Sequence, residues 1–359
     1  MAPTRVSSYN QIFSAYFPPR RENARIFRPR SARNPAAVGA QDKGCPLLMK
    51  SMRAHAAIVI VLAIPLFNLD PVAEARETPR ILSAVSRTER RIRARLRPLF
   101  ESRGLTYPPG DVFLRVFKLE ESLELWARNG SSGPFTRVKT YRAFNLPLNY
   151  RRGPNQASRG TGPKRRMGDG RVPEGVYKIL YHNPWSSYHL SLAISYPNPS
   201  DAILGRRLGT ITRNGERAAL RWWRRNNGRI DRSLIRGMPS LWGDGRVNPL
   251  GNEIFIHGKK VTIGCIPIGD RSIEEVFVLT DARKVGGTQV HIFPFRFSDP
   301  ANRPIRRGLE EKRKDLATFW QSLESVYRHF ENTSELPPIY IDKETGLYFT
   351  TPGPRRMAY

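Results

Sequence analysis

The stretch EIFIHGKKVTIGCIP, residues 253–267, decides how this sequence is interpreted. His257 stands at the end of an apolar, β-forming run, and Cys265 follows after a second such run. We predict two short strands, 253–257 and 260–263, joined around Gly258 as a hairpin that brings His257 and Cys265 near each other. The thiolate is the nucleophilic form of cysteine, and an imidazole can take the thiol proton. The pattern therefore predicts a nucleophilic cysteine with a histidine base.

The residues next to Cys265 suit acyl transfer. Gly264 keeps side-chain bulk away from the sulfur, and backbone N–H groups near Cys265 could bind an oxyanion. On these residues alone, a structural cysteine that acts as a small buried apolar side chain is the alternative.

Several ordered motifs resemble the YkuD-type murein L,D-transpeptidase catalytic domain, in its YafK-like branch. The residues IHG…TIGC are similar to the family signature His-Gly … Ser/Thr-x-Gly-Cys. Further stretches that resemble this branch are TGPKRRMGDGRVPEGVYKI (161–179), NPWSSYHLSLAISYPNPSD (183–201), VHIFPFRF (290–297) and FWQSLESVYRHFE (319–331). The resemblance covers residues 110–350, with 203–250 as an expanded insert.

The resemblance implies a fold and a reaction. The expected fold is mainly β, of the α+β class, with a YkuD-like β-sandwich flanked by amphipathic helices. In this family the cysteine, here Cys265, attacks a carbonyl at an L,D bond to meso-diaminopimelate in a peptidoglycan peptide stem and forms an acyl-enzyme. His257 would be the base, with a backbone carbonyl near Gly258 as its partner. Thr262 would steady the turn or the thiolate, and Gly264 matches the glycine of the signature.

One departure from the family pattern bears on the reaction. Cross-linking members carry an arginine two residues after the cysteine, whereas Pro267 stands there in this chain. The YafK-like branch shares that absence and is associated with cleavage of peptidoglycan-linked bonds. Hydrolysis is therefore a rival to transpeptidation, and an outer-membrane lipoprotein attached to peptidoglycan is a candidate partner. A third hypothesis is a non-catalytic wall-binding module.

Other polar residues are candidates for substrate binding. Their alternative roles are a solvated turn with local salt bridges for the loop cations, and a hydrogen-bonded structural role for the histidine. The candidates are Lys164, Arg165 and Arg166 in the Gly-rich loop 151–173, together with Tyr188 and His189. No Cys/His spacing typical of zinc is present, so we expect no metal and no cofactor.

The chain is strongly basic. It has 359 residues, with 60 Lys and Arg against 31 Asp and Glu, a net charge of +29, and a 39% hydrophobic fraction that suffices for a core. Such a charge favours polyanionic surroundings. From Arg206 to Arg246 there are eleven arginines, with Trp222, Trp223 and Trp242 among them. We predict a basic inserted lobe at 203–250, for which a solvated excursion anchored by tryptophans is the alternative to a binding role.

The N-terminal region predicts export. Lys50 and Arg53 precede the apolar run 54–69, and Ala73-Glu74-Ala75 is an A-x-A cleavage pattern. We predict a signal peptide at 49–75, a periplasmic protein that is not transmembrane after cleavage, and no nucleic-acid partner. Cys45 would be lost with the signal, which leaves Cys265 as the one mature cysteine. The remaining predicted segments are a head at 1–48 that is disordered or lies upstream of the true start codon, a helical segment at 76–109, the catalytic domain at 110–300, and a C-terminal helix and tail at 301–359.

Overall fold

The computed structural model describes residues 90–144, 162–184, 186–226, 248–251, 253–280 and 287–359. The predicted head and signal peptide lie outside these ranges, as do residues 81–89 of the predicted N-terminal helix, Trp242 and the rest of 227–247. Within the described ranges, no helix is both long and apolar enough to cross a membrane.

Helix α1 covers the described residues 90–101 and packs on the sheet through one face. Ile92, Leu96 and Phe100 recur every four residues, lie on that face and are fully buried. Gly104, with φ +69°, lies in the turn after the helix, where the sequence places its end.

Five strands form where β-branched and aromatic residues cluster. Their bounds are β1 Asp111–Phe117, β2 Ser122–Arg128, β3 Thr136–Arg142, β4 Gly175–Asn183 and β5 Ser191–Ile194. Strands β6 Phe255–His257, β7 Ile266–Pro267 and β8 Gln289–Phe293 complete one sheet in the order β3-β2-β1-β8-β4-β5-β6-β7. Strand β8 lies between β1, which it joins in parallel, and β4, which it joins antiparallel. The late strand β8 thus joins the first hairpin to the half of the sheet that contains His257 of β6 and, directly after Cys265, strand β7.

The central strands are covered on both faces. Leu114 and Val116 of β1 belong to a core that also contains residues of α1 and of α4 (Asp270–Leu279), whereas Phe117 points into a second core. The second core is built mainly by α6 (Lys314–Thr333), which follows α5 (Arg303–Lys312). Because side chains alternate along a strand, one strand supplies both cores. The prediction of a mainly β, α+β fold with flanking amphipathic helices is confirmed.

Some predicted helix boundaries are wrong. The C-terminal stripe was expected to form one helix, but the chain breaks at Arg313 between α5 and α6. The S-x-x-E pattern at 272–275 predicts that α4 opens with a capping box at Ser272, and Gly286-Gly287 predicts its end. The helix begins at Asp270, after Gly269, and ends at Leu279. The Asp270 carboxylate instead accepts the Lys259 backbone N–H at 2.7 Å, so a tertiary contact replaces a local cap.

The predicted hairpin between 253–257 and 260–263 is also wrong. Strand β6 pairs with β7 in parallel, with Ile256 opposite Ile266 and His257 opposite Pro267. Residues 258–265 form an irregular loop, in which Asp270 accepts the Lys259 N–H and the Thr262 hydroxyl accepts the Gly264 N–H. These contacts hold the two ends of the segment 260–263, which contains no strand.

The basic insert begins with two helices, α2 (Pro199–Arg207) and α3 (Arg213–Asn226). A capping box formed by Asn198 and Asp201 opens α2. Trp222 and Trp223 of α3 are buried together with Ala202 and Leu250, so the described part of the insert is anchored to the domain. A small sheet of β9 (Tyr340–Asp342), β10 (Tyr348–Phe349) and β11 (Arg356–Ala358) follows α6, in the order β10-β9-β11.

Candidate active site

Cys265 lies immediately before β7, at the edge of the sheet. The parallel register places it beside Phe255 rather than beside His257. Its Sγ atom is 3.8 Å from the carbonyl oxygen of Glu253, and Phe255 contributes a backbone hydrogen bond to the sulfur. In the described part of the chain, no hydrogen bond joins the Cys265 thiol to the His257 ring. The two groups therefore share one segment without direct contact.

The turn before Cys265 is held by Thr262. The Thr262 hydroxyl donates to the Cys265 carbonyl oxygen at 2.7 Å and accepts the Gly264 N–H at 3.0 Å. Gly264 has a φ of +140°, and a Cβ there would lie 3.1 Å from the Arg171 carbonyl oxygen. Both the backbone angle and the close approach favour glycine. These contacts assign Thr262 to the turn and not to the sulfur.

His257 is oriented by a backbone carbonyl. Its side chain is almost fully buried, and Nδ1 lies 2.6 Å from the Gly258 carbonyl oxygen. Because a carbonyl only accepts, Nδ1 carries the proton and Nε2 keeps its lone pair. Burial lowers the pKa of the imidazole, so the ring is neutral at pH 7. A neutral ring with this tautomer has the form that a general base needs.

Gly258 and Tyr188 confine the His257 ring. A Cβ on Gly258 would lie 2.6 Å from the Tyr188 carbonyl oxygen and 2.7 Å from Asp270 Oδ1, so a larger residue would displace the loop. The Tyr188 ring packs against the imidazole at 4.7 Å between centroids and is itself 45% exposed. Tyr188 therefore separates the histidine from solvent.

The Cys265 thiol rests in its protonated form. Burial raises its pKa to about 11, while the backbone hydrogen bond from Phe255 and the positive charge of Lys164 act in the opposite direction. The residue as a whole is partly accessible. A thiol in this state needs a base at the moment of attack.

The loop 162–171 is organised around one carboxylate. Lys164 is buried, and its Nζ donates to Asp169 Oδ1 at 2.8 Å and to the Arg166 carbonyl at 2.9 Å. Asp169 also accepts backbone N–H groups from Arg165, Arg166 and Arg171. Lys164 is thus bound in the local ion pair that was the alternative to substrate binding, although its charge still acts on Cys265.

The other substrate-binding candidates lie in different settings. The Arg165 guanidinium stacks on Phe319 with 4.8 Å to the ring centroid, and Arg166 is exposed. The His189 Nε2 atom is 3.0 Å from Glu274 Oε1 of α4, which gives this histidine the hydrogen-bonded structural contact that was its alternative. Of the five candidates, Tyr188 contacts His257 and Lys164 influences Cys265.

Two exposed apolar residues near the site escaped the sequence analysis. Ile263, two residues before Cys265, is 80% exposed, and Met167 is 57% exposed in the loop that contains Lys164. The Met167 N–H is bonded to the Pro249 carbonyl oxygen. Apolar residues are assigned to the core by default, so only the accessible surface reveals them. The described ranges contain no group of three or more His, Cys, Asp or Glu side chains that could hold a metal ion.

The comparisons with known proteins agree with the signature. Residues 136–292 match the YkuD family model, described as an L,D-transpeptidase catalytic domain. This segment, which is less than half of the chain, is similar to the YkuD-type L,D-transpeptidase catalytic domain. It is also 26% identical over 235 residues to YafK of Escherichia coli (strain K12), an L,D-transpeptidase by name, over 64% of this chain and 70% of YafK. The YafK protein of strain O157:H7 gives the same values.

Solved structures of the helical cell shape determining protein Pgp2 from Campylobacter jejuni and of Bd1075 from Bdellovibrio bacteriovorus were also matched. For Pgp2 the TM-score is 0.30 at 13% identity, over 64% of this chain and 72% of that chain. For Bd1075 the TM-score is 0.28 at 18% identity, over 63% of this chain and 64% of that chain. A point mutant of Pgp2 matches with a TM-score of 0.29 at 15% identity, over 52% of this chain and 49% of its own. The match to the YkuD family model and the likeness to YafK agree with each other on an L,D-transpeptidase type of catalytic domain.

Proposed function

We propose that this protein cleaves an L,D bond to meso-diaminopimelate in peptidoglycan peptide stems through an acyl-enzyme on Cys265. The observation that carries the proposal is the state of His257. Its Nδ1 proton is fixed on the Gly258 carbonyl oxygen, its ring is neutral, and it lies in the same loop segment as a partly accessible thiol. A neutral imidazole with a free Nε2 lone pair is the form that accepts a thiol proton once the two groups come within hydrogen-bond reach.

The reaction begins with proton transfer. As substrate enters, Nε2 of His257 takes the Cys265 proton, directly after a side-chain rotation or through one bridging water. The sulfur attacks the scissile carbonyl, the amide C–N bond breaks, and the proton on Nε2 passes to the leaving amine. Water then attacks the thioester while Nε2 takes its proton, which releases a carboxylate product and returns the thiol. The Cys265 backbone N–H is the candidate oxyanion donor, because the Gly264 N–H is bonded to the Thr262 hydroxyl.

The second residue of β7 favours water over an amine acceptor. Pro267 is buried, pairs with His257 in the register and offers neither a donor nor a charge. A transpeptidase must hold an acceptor amine beside the thioester and keep water out, whereas a hydrolase only admits water. A peptide stem attached to an outer-membrane lipoprotein is a candidate substrate for this hydrolysis. Cross-linking remains the second candidate reaction, supported by the family name.

The reaction is tested with isolated sacculi and purified muropeptides. The exported form, beginning near Arg76, is incubated with each, glycan strands are digested, and product masses are read. Hydrolysis adds one water per bond cleaved, whereas exchange joins two stems. New 3-3 cross-linked dimers without any loss of stem-attached groups would overturn the hydrolytic proposal. Cys265→Ser, which nearly preserves the side-chain volume, serves as the inactive control. Residual activity in this variant would overturn the assignment of Cys265 as the nucleophile.

Export itself is part of the proposal. We expect N-terminal sequencing of the protein from its periplasmic fraction to begin at or near Arg76. A chain that keeps residues 49–75 and stays in the cytoplasm would remove access to the wall and contradict the substrate.

A further inference from the structure

A basic cavity lies apart from the Cys265 segment. It has a volume of about 620 Å³ and is lined by α3, β4 and the C-terminal strands. None of its lining residues belongs to 253–267 or to the loop 162–171. We call it the α3 pocket. Its cationic members are Lys178, Arg217, Arg221, Arg224 and Lys343.

The side chains that line the α3 pocket include no acidic group. Five of them are cationic. In the described part of the chain, none of the five forms an ion pair. Arg217, Arg221 and Arg224 recur at intervals of four and three residues, so they lie in a row on one face of α3. Along the helix axis, neighbouring members are about 4.5–6 Å apart. Like charges at these spacings repel each other, so an anion would relieve the repulsion.

Lys178, which also lines the α3 pocket, is a further cation without a carboxylate partner among the described residues. It lies on β4 with its Nζ 5.1 Å from the centre of the Tyr359 ring, and burial lowers its pKa. A half-buried ammonium normally finds a carboxylate. Within the ranges described, its cation–π contact with Tyr359 stands in place of one.

The remainder of the pocket is apolar and aromatic. Leu220, Met357, Trp223 and Tyr359 contribute to its lining, and the last two rings pack at 5.8 Å between centroids. The Trp223 Nε1–H is already bonded to the Pro197 carbonyl oxygen at 3.3 Å, so the indole is fixed in place. A ligand that fills this cavity therefore has an apolar portion beside its charges.

We propose that the α3 pocket binds a diphosphate ester whose organic group packs against Trp223 and Tyr359 while Lys178 and the α3 arginines hold its phosphates. Phosphate fits better than carboxylate on charge. The terminal phosphate of a diphosphate ester carries about −1.5 to −2 near pH 7 and the inner phosphate adds about one more negative charge, so one diphosphate offsets roughly half of the charge of the five cations. About three separate carboxylates would be needed for the same effect. The guanidinium fork also matches the oxygens of phosphate.

The proposal is tested by calorimetric titration of the intact protein with four probes: inorganic phosphate, pyrophosphate, uridine diphosphate and geranyl diphosphate. We expect at least one organic diphosphate to bind ten times more tightly than inorganic phosphate, with affinity falling as salt rises. Tighter binding of uridine diphosphate would point to a flat aromatic group, and tighter binding of geranyl diphosphate to an isoprenoid chain. Equal weak binding of all four probes would overturn the proposal. Phosphatidylglycerol vesicles are added as a fifth probe, and binding only to these vesicles would also overturn the proposal, because the pocket would then be a membrane contact.

Variants assign the binding to the pocket. Arg221→Gln and Lys178→Met, which keeps the length of the side chain, should each weaken diphosphate binding at least tenfold. Arg225→Gln is the matched control, because Arg225 is exposed on the same helix and does not line the pocket. Equal loss in the control would reduce the effect to general charge and contradict the site. Cys265→Ser should bind normally, so failure of the proposed reaction and failure of this site are separable.

Discussion

Two basic regions of this molecule look alike in sequence and differ in the fold. The loop 162–171 places Lys164 against Asp169, so an ion pair within the loop neutralises the buried Lys164 ammonium. The row Arg217, Arg221 and Arg224 on α3 has no carboxylate in ion-pair contact within the described residues. Basic composition alone therefore says little about binding. What matters is whether the fold brings an acidic side chain within reach.

The largest expected effect comes from breaking the neutralised region. Asp169→Asn leaves the Lys164 ammonium buried without its counter-charge, and should lower the free energy of unfolding by about 3–5 kcal/mol. The measurement is urea denaturation at pH 7. The matched control is Asp315→Asn in the exposed pair with Arg313, where the loss should stay within about 1 kcal/mol. Equal small losses would mean that Lys164 is solvated in solution.

Asp201 is a buried carboxyl group that forms no ion pair with a described residue, so here it is a negative charge that lacks a cationic partner. It accepts from the Tyr177 hydroxyl and the Asn198 N–H, and burial raises its pKa from 3.8 to about 6. A raised carboxyl pKa means that the fold holds the proton more tightly than the unfolded chain does. The resulting stabilisation is full below pH 3.8 and is lost as the pH rises through 6.

The shift of Asp201 corresponds to about 3 kcal/mol. The free energy of unfolding should therefore fall by about that amount relative to Asp201→Asn between about pH 4 and about pH 7.5. Denaturation of both proteins at several pH values measures the difference. Parallel curves would show that Asp201 is ionised in the fold at all these pH values.

A smaller effect is expected where neutral hydrogen bonds replace charges. Thr262→Val removes the hydroxyl that joins Gly264 and Cys265, at an expected cost of about 1–2 kcal/mol in unfolding free energy. Turnover of muropeptide should fall further than stability does, because the turn positions the sulfur. Thr318→Val, which removes a long exposed hydrogen bond of 3.4 Å, is the control. An unchanged rate would mean that the turn holds without Thr262.

The smallest effect belongs to the uncompensated region. Arg221→Gln should leave the free energy of unfolding within about 0.5 kcal/mol of the wild type or raise it slightly, because it relieves repulsion and breaks no ion pair. Thermal unfolding without added anions is the measurement. A loss above about 1 kcal/mol would reveal a carboxylate partner for Arg221 and remove the contrast between the two regions.

Much of the fold was predictable, because long-range context hardly changes a strongly patterned segment. The alternation in 122–128 and the apolar stripe of α6 each specify one element and one buried face. The signature residues of the candidate site were also found from sequence, since the order His-Gly … Thr-x-Gly-Cys is local. The family comparison agrees with that resemblance.

The failures occurred where a distant side chain decides the local structure. The hairpin at 253–263 was wrong because the chain continues after His257 as a loop, held by Asp270 on the Lys259 N–H and by Thr262 on the Gly264 N–H, and then pairs with β6 as the parallel strand β7. The early start of α4 has a similar cause, since Asp270 bonds to Lys259 and not to its own helix. The two exposed apolar residues Ile263 and Met167 could not be found at all, because exposure is a property of the fold.

The central claim is that Cys265 becomes acylated by a peptide stem with His257 as its base. Intact-protein mass spectrometry after brief exposure to a diaminopimelate-containing muropeptide, with acid quenching, tests it most directly. We predict an adduct with the mass of the acyl part of the stem, mapped to Cys265, that is absent in Cys265→Ser and strongly reduced in His257→Gln. Product formation without any adduct on Cys265, or with full activity in Cys265→Ser, would contradict the account.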